Sequence, residues 1–191
     1  PAGLSGRRLV DSKHGVDLGP LRPSLLGRLA TRDRRVQLAP ELHLGDLTRA
    51  AAALREPLPE LMLIGRRHVR SNNSWLHNSQ RLVKGKPRCT LLMHPDDAAR
   101  RNVQHGAMVR LRSRVGEVRV TAEISTDVMP GVVSLPHGWG HDREGIRLGV
   151  ASRHAGVSIN DLVDDRLLDA LTGTAVLNGT PVEVEATATG P

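Results

Sequence analysis

The chain lacks phenylalanine and tyrosine entirely, and Trp75 and Trp139 are its only tryptophans. Proteins that bind single-stranded nucleic acids stack the bases on aromatic side chains, so this scarcity argues against that class. The single cysteine, Cys89, excludes an internal disulfide and a cysteine-based zinc site, and it indicates a reducing compartment. No apolar run approaches the roughly 18 residues of a membrane span, and no secretory leader opens the chain. We therefore expect a cytoplasmic protein or a piece of one.

Lysine is also scarce, because only three of the 27 basic residues are lysines, against 20 acidic residues. The net charge of +7 favours an anionic partner. Charge alone leaves nucleic acid, phosphate esters and acidic membrane surfaces open. Arginine has a planar group that pairs bidentately with phosphate or carboxylate, so its dominance favours specific recognition over diffuse attraction.

The chain divides near Pro57 into a predicted connecting segment, residues 1–57, and a predicted domain, residues 58–188. Up to Pro40 the sequence is rich in glycine, proline and arginine without sustained periodicity, which predicts extended surface chain. Apolar residues then recur at helical spacing within residues 40–56. The segment has too few apolar residues for its own core. We expect an irregular, partly helical extension that covers another part of the protein.

Short strands dominate the rest of the chain. Six are predicted, at residues 61–64, 89–93, 108–113, 116–124, 131–136 and 181–186. The first two are continuous apolar runs typical of buried strands, whereas the third and fourth alternate apolar with polar residues and form a hairpin with one wet face. A short helix begins at Pro95, a residue that suits the first helical position. This pattern predicts a mainly β fold and a small barrel rather than an open sheet.

Familiar catalytic motifs are missing. His137 and His141 have the spacing of a zinc-binding helix, but the glycines between them disfavour a helix and no glutamate completes the motif. Neither a Gly-x-Ser-x-Gly nucleophile motif, nor a P-loop, nor a Gly-rich dinucleotide motif occurs. We predict no catalytic residue and no metal ligand in this chain.

Four motifs follow one another in a specific order. They are IGRRHVRSNNSWLHN at residues 64–78, HPDDAARRNVQHGAMVRLRSRVGEV at 94–118, MPGVVSLPHGWGH at 129–141 and SINDLVDD at 158–165. In this order they resemble the carboxy-terminal dinucleotide-binding domain of molybdopterin oxidoreductases, the family that includes formate dehydrogenase and nitrate reductase. The similarity covers about residues 58–185.

The resemblance implies a six-stranded double-psi β-barrel that helps to hold a molybdopterin guanine dinucleotide, in the bis form with molybdenum or tungsten. In that family the metal ligand and the iron–sulfur cysteines belong to earlier domains, and Cys89 lies within a predicted strand. The chain is therefore expected to be one part of a formate dehydrogenase-like oxidoreductase, incomplete by itself. Its expected partners are the upstream domains and the shared cofactor, with no nucleic acid and no membrane span.

The first motif has the chemistry that this cofactor requires. Gly65 lets the backbone approach a phosphate at the end of a strand. The cations that would neutralise the pyrophosphate are Arg66, Arg67 and Arg70. The short polar side chains able to meet pterin, phosphate or sugar edges are Ser71, Asn72, Asn73 and Ser74. A solvated turn is the alternative for any one of these residues.

A guanine ring is recognised well by a carboxylate, which accepts hydrogen bonds from N1–H and the exocyclic amine together. The resemblance assigns this role to Asp97. Asp96 is then the predicted N-cap of the helix that follows.

Two later stretches complete the predicted site. His137, Gly138 and Trp139 follow the fifth strand, where the family brings a loop toward the cofactor. Packing of Trp139 over the barrel mouth is the alternative. Asn160 lies where family members commonly carry a cofactor-facing asparagine, and capping of a helix is its alternative role.

Another class of function stays open on the sequence. A free-standing basic β-barrel could bind a different anionic ligand, a nucleic acid or a protein partner, since such barrels host several functions. The missing aromatic residues and the lack of a recognisable reading helix count against nucleic acid.

Overall fold

The computed structural model describes residues 3–187. The chain forms two compact units, Pro1–Leu47 and Thr48–Pro191. Within the described residues no helix is long and apolar enough to cross a membrane. The division into residues 1–57 and 58–188 stays a prediction, and residue 188 lies outside the described part of the chain.

Three helices precede Pro57: α1 (Gly6–Asp11), α2 (Leu25–Arg28) and α3 (Glu41–Ala53). α3 lies within the segment predicted to be helical. α1 and α2 differ from the predicted extended chain, because helices of six and four residues are too short to produce an apolar period. None of the three helices buries a residue, which agrees with the small number of apolar side chains in this segment.

The second unit is built on one seven-stranded sheet. Its strands are β1 (Met62–Arg66), β2 (Thr90–Met93), β3 (Met108–Arg112), β4 (Glu117–Ile124), β5 (Val132–Pro136), β6 (Thr180–Pro181) and β7 (Glu183–Ala186). The connections contain α4 (Gln80–Val83), α5 (Pro95–Arg100) and two 3₁₀ helices, Ala151–His154 and Ile159–Asp161. The predicted mainly β fold and the helix beginning at Pro95 are confirmed, whereas α4 lies outside the predicted elements.

The seven strands replace the six that were predicted, because the last predicted strand is interrupted. The sheet order is β6-β1-β5-β2-β4-β3-β7, and only Val182 separates the two edge strands. Val182 N–H donates to the Leu61 carbonyl at 3.1 Å, after which the chain leaves β1 and pairs with β3. One short segment therefore pairs with both ends of the sheet and curls it.

The pairing of β1 with β5 is parallel, with Arg66 opposite Pro136. Parallel neighbours end at the same edge of a sheet, so the loops that follow these two strands leave side by side. The His137 N–H donates to the Arg66 carbonyl at 3.3 Å and continues the ladder by one bond into the loops.

The β3–β4 hairpin has one apolar and one charged face, as predicted. Val109 and Leu111 are fully buried in the core. Between and beyond them, Arg110 and Arg112 project outward and form cross-strand ion pairs with the glutamates opposite them in β7, at positions 185 and 183. The alternation of strand side chains explains both faces.

The hairpin tip packs on the second 3₁₀ helix, and this contact is specific for glycine. A Cβ at Gly116 would lie 2.2 Å from the Asp161 carbonyl oxygen, too close for any real contact. We predict that Gly116→Ala lowers the free energy of unfolding by about 1–3 kcal/mol, because the backbone must shift. Gly149→Ala is the control, since nothing lies within 4 Å of a Cβ there. Equal urea midpoints for the two variants would contradict this packing.

Candidate functional site

The loops after β1 and β5 contact each other directly, and we call them the first loop (residues 67–79) and the second loop (residues 137–150). The Asn73 side-chain oxygen lies 2.8 Å from Nε2 of His137. Gly138 has a φ of +87°, and a Cβ there would lie 2.2 Å from the Asn73 carbonyl oxygen. Gly138 is thus required both by its backbone conformation and by the close approach of the two loops.

Beneath this contact lies a buried cluster of three rings. His77 Nδ1 is 2.8 Å from His141 Nε2, and the Trp139 ring stacks on His77 with centroids 3.9 Å apart. All three side chains are buried, His77 completely. Burial and the neighbouring His141 lower the pKa of His77 to about 4, and burial lowers the pKa of His141 as well. Both histidines are therefore neutral at physiological pH.

Two asparagines make further bonds near these loops. Asn178 Oδ1 accepts the Gly65 N–H of β1 at 2.8 Å, and Asn78 Oδ1, in the first loop, accepts the N–H groups of Val150 and Ala151 at 3.0 and 3.2 Å. Asn78, His77 and His141 organise the loops and Asn178 bonds the strand before them, although the sequence did not predict these four residues as site residues. The sequence indicated these residues only weakly. Asn178 lies far along the chain from the loops, and His141 matched only the spacing of a zinc ligand.

A group of predicted residues is exposed on this surface. Arg67, Arg70 and Asn72 belong to the first loop, and Asn160 lies in the second 3₁₀ helix. Within the described part of the chain, the side chains of Arg67 and Arg70 make no ion pair. Trp75, which was not predicted, is 82% exposed on the same loop. Two cations, amides and an aromatic face are thus free to meet a ligand.

Arg66, predicted to bind pyrophosphate, instead points into the protein. Its guanidinium donates to the Ser134 carbonyl, to the Thr90 carbonyl at 2.7 Å and to Thr90 Oγ1 at 3.0 Å. Thr90 Oγ1 in turn donates to Glu123 at 2.5 Å. Burial lowers the pKa of Arg66, which Glu123 partly offsets. The side chain holds β1, β2 and β5 together, because a buried cation is stable only when its donors are satisfied.

The remaining predicted residues of the first motif shape the loop. Asn72 and Asn73 have positive φ angles of 41° and 63°, a conformation that asparagine tolerates better than most residues. Ser71 is buried, and its Oγ has no hydrogen-bond partner among the described residues. Ser74 is half-buried, and its carbonyl accepts the His77 N–H at 3.1 Å.

Asp97, predicted to read guanine, is completely buried in α5. One carboxylate oxygen accepts the Gly131 N–H at 2.8 Å, and the other pairs with Arg100. Both oxygens are therefore occupied by the protein itself, and a guanine would have to displace these bonds. In this structure the carboxylate attaches α5 to the turn that precedes β5, and its role toward guanine stays a prediction.

The predicted cap of α5 is also different. His94 is the N-cap, and its Nδ1 accepts the Asp96 N–H at 3.2 Å. Asp96 lies in the first turn and is exposed, with its carboxylate 3.5 Å from His94 Nδ1 and its charge near the positive end of the helix. The second 3₁₀ helix is preceded by Ser158, so Asn160 is not its cap either.

Two further features lie apart from the loops or are missing from the described residues. A cavity of about 920 Å³ is bordered by Glu60, Arg114, Asp164 and Val182, and it includes none of the predicted residues. In residues 3–187 no group of three or more histidine, cysteine, aspartate or glutamate side chains could hold a metal ion. Because the predicted residues lie outside this cavity, the candidate site is the exposed surface of the two loops.

The fold is a mainly β domain, and its first loop exposes cations, an amide and an aromatic ring. Residues 61–181 match the model of the molydopterin dinucleotide binding domain family. The chain belongs to this family, and the resemblance to molybdopterin oxidoreductases is confirmed.

Curated relatives belong to reductases. The chain is 32% identical over 122 residues to a tetrathionate reductase subunit of Salmonella typhimurium, which covers 55% of this chain and 12% of the relative. It is 33% identical over 96 residues to a dimethyl sulfoxide reductase of Haemophilus influenzae, covering 50% of this chain and 11% of the relative. The chain thus spans about an eighth of the length of these relatives. These relatives are named as reductases, and they do not support the formate dehydrogenase-like type.

A solved structure supports the fold. Acetylene hydratase from Pelobacter acetylenicus matches with a TM-score of 0.57 and 20% identity, over 76% of this chain and 20% of that protein. At this identity the likeness concerns the fold alone.

Asp97 allows a direct test of its structural role. We predict that Asp97→Asn lowers the free energy of unfolding by about 1–3 kcal/mol, because one oxygen that accepts a hydrogen bond becomes a donor inside the protein. Asp96→Asn, the matched control, changes it by less than about 0.5 kcal/mol, since that side chain is exposed. Urea unfolding of both variants measures the difference. Equal stability of the two would mean that Asp97 is free to serve a ligand.

Proposed function

We propose that the chain is the cofactor-binding domain of a larger molybdopterin-dependent oxidoreductase and holds a molybdopterin guanine dinucleotide, in the bis form with molybdenum or tungsten. We further propose that its curled sheet is a double-psi barrel, with β6 and β7 acting as one interrupted sixth strand. The family match and the reductase relatives support the cofactor class.

One observation carries this proposal: the first loop, which contacts the second, exposes two arginines that have no acidic partner among the described residues, whereas Arg143 of the second loop is paired with Asp161. On β3, in contrast, Arg110 and Arg112 have carboxylate partners, Glu185 and Glu183. Arg67 and Arg70 have none among residues 3–187. Unpaired guanidinium groups beside a glycine-containing strand end suit a pyrophosphate.

The exposed residues fit the parts of the cofactor. We infer that Arg67 and Arg70 neutralise the pyrophosphate, and that Asn72 and Asn160 bond the polar edges of sugar or pterin. Trp75 offers a flat, exposed face for a ring. When bound, the cofactor supplies the oxidation and reduction of the substrate.

The other predicted residues act indirectly in this proposal. They shape the two loops or close their contact, and they are Gly65, Ser71, Asn73, Ser74, His137, Gly138 and Trp139. Because the surface is open and the chain spans about 12% of its relative, we infer that upstream domains complete the cleft and provide the metal ligand.

The two exposed arginines test the proposal. In the full-length protein, Arg67→Ala with Arg70→Ala is expected to reduce the dinucleotide retained after dialysis at least about tenfold, because each charge-assisted bond contributes about 1.5–3 kcal/mol. Retention is measured as nucleotide released by hydrolysis, together with molybdenum and tungsten content. The urea midpoint should stay unchanged.

Arg66→Ala is the matched comparison on the same strand end. It should lower the urea midpoint, because it leaves the Ser134 and Thr90 carbonyls without their buried donor. Full cofactor retention in the Arg67 and Arg70 variant would remove the first loop from the cofactor site.

Trp75 provides a further prediction. Replacing it with alanine should weaken retention of the dinucleotide about fivefold or more, because stacking of a base on an aromatic ring contributes about 1–3 kcal/mol. Val69→Ala is the control, since Val69 is 88% exposed on the same loop without a ring. Equal retention by both variants would show that Trp75 does not contact the cofactor.

A further inference from the structure

The His77–His141 contact joins the two loops through a single hydrogen. The two ring nitrogens lie 2.8 Å apart, so one must donate and the other accept. A first additional proton enters on an outer ring nitrogen and leaves this N–H···N bond in place, but it puts a positive charge on buried rings, and His77 Nε2 has no hydrogen-bond partner among the described residues. When both rings are protonated, N–H faces N–H and the bond is lost. The contact is therefore most stable while the histidine pair is uncharged.

The surroundings give little compensation for a positive charge. The Trp139 ring covers one face of His77, and Arg88 adds repulsion from the end of the segment that leads into β2. Asp142, next to His141 in the second loop, is the carboxylate that favours protonation of His141. The pair is thus covered on one face by the apolar Trp139 ring, and the attraction of Asp142 for an added proton is offset by the repulsion from Arg88.

The first loop has few other attachments to the second loop. The Asn73–His137 bond and the bond from Val150 N–H to Asn78 Oδ1 are exposed to water, and the close approach of Gly138 to the Asn73 carbonyl is a packing contact. The buried ring pair is thus the contact that water does not compete for. The first loop also carries Arg67, Arg70 and Trp75, so its position decides where these side chains lie.

We propose that the His77–His141 pair is the positioning device that holds the first loop on the second in the arrangement that binds the dinucleotide, and that protonation of the pair releases the dinucleotide. This inference rests on the proposed function. His77 and His141 are positioning residues and do not themselves contact the cofactor.

The direction of the pH dependence follows from the lowered pKa values. The unfolded chain binds a proton at the ordinary histidine pKa of about 6.5, whereas the folded pair resists it. The neutral His77–His141 contact therefore stabilises the folded protein fully at pH values above about 6.5. It is lost as the pH falls toward about 4, the pKa of His77 in the folded protein.

A spectroscopic measurement detects the pair directly. In the 191-residue chain with Trp75→Phe, Trp139 is the remaining tryptophan, and it stacks on His77. Its fluorescence should change in one acid transition with a midpoint well below 6.5. His77→Asn combined with His141→Gln should abolish the transition, because the amides can keep the hydrogen bond at the positions of Nδ1 and Nε2 but do not titrate. His43→Gln, which removes an exposed histidine of α3, is the control and should leave it unchanged.

Cofactor retention is then measured on the full-length holoprotein after desalting, following incubation at pH values from about 8 down to below the midpoint of the fluorescence transition. The probe is the nucleotide released from the protein-bound dinucleotide by hydrolysis. Wild type and His43→Gln should lose it over the same pH range as the fluorescence transition. The His77→Leu variant cannot form the hydrogen bond, so it should retain about tenfold less nucleotide than wild type already at pH 7.5. The double variant, made by His77→Asn and His141→Gln, should retain the nucleotide independently of pH.

The fluorescence and retention measurements together distinguish three outcomes. Loss of nucleotide together with the fluorescence transition, removed by the double variant, supports the inference. Wild-type retention across the transition, or an unchanged transition in the double variant, overturns it and leaves the proposed function standing. Wild-type holoprotein without any dinucleotide at pH 7.5 overturns the proposed function and this inference with it.

Discussion

The parallel pairing of β1 with β5 is the constraint on which the rest of the site depends. Its ladder places the ends of both strands at one edge, with Arg66 opposite Pro136. Two loops that are about 70 residues apart in the chain must then share one space, and Gly138 and the His77–His141 pair adapt them to each other. The surface that carries Arg67 and Arg70 is a consequence of this pairing.

Charged residues near the strand ends fall into two groups, those that hydrogen-bond inside the domain and those that are exposed. Arg66 and Asp97 satisfy carbonyl and N–H groups inside the domain, while Arg67 and Arg70 remain unpaired among the described residues. Burial explains this difference between the residues. A buried charge must be paired or hydrogen-bonded within the protein, whereas water solvates an exposed charge and leaves it accessible to a ligand. Neighbouring arginines on one strand end therefore have opposite roles.

The open shape of the candidate site agrees with a domain that contributes one wall of a cleft. The cavity of about 920 Å³ near Glu60 and Asp164 lies among paired charges and includes none of the loop residues. The chain spans only about an eighth of the length of its reductase relatives, and in the function proposed above the other domains supply the remaining contacts to the cofactor.

The sequence by itself determined the strands, the hairpin, the helix at Pro95 and the family, because apolar periodicity and motif order are local properties of a chain. It could not show that the last strand breaks at Val182, that His94 rather than Asp96 caps α5, or that His77 meets His141. Those facts depend on which distant segments become neighbours. Burial then decided the roles of the charged residues, since Arg66 and Arg67 are the same residue type in adjacent positions and only the tertiary structure turns one inward and leaves the other exposed.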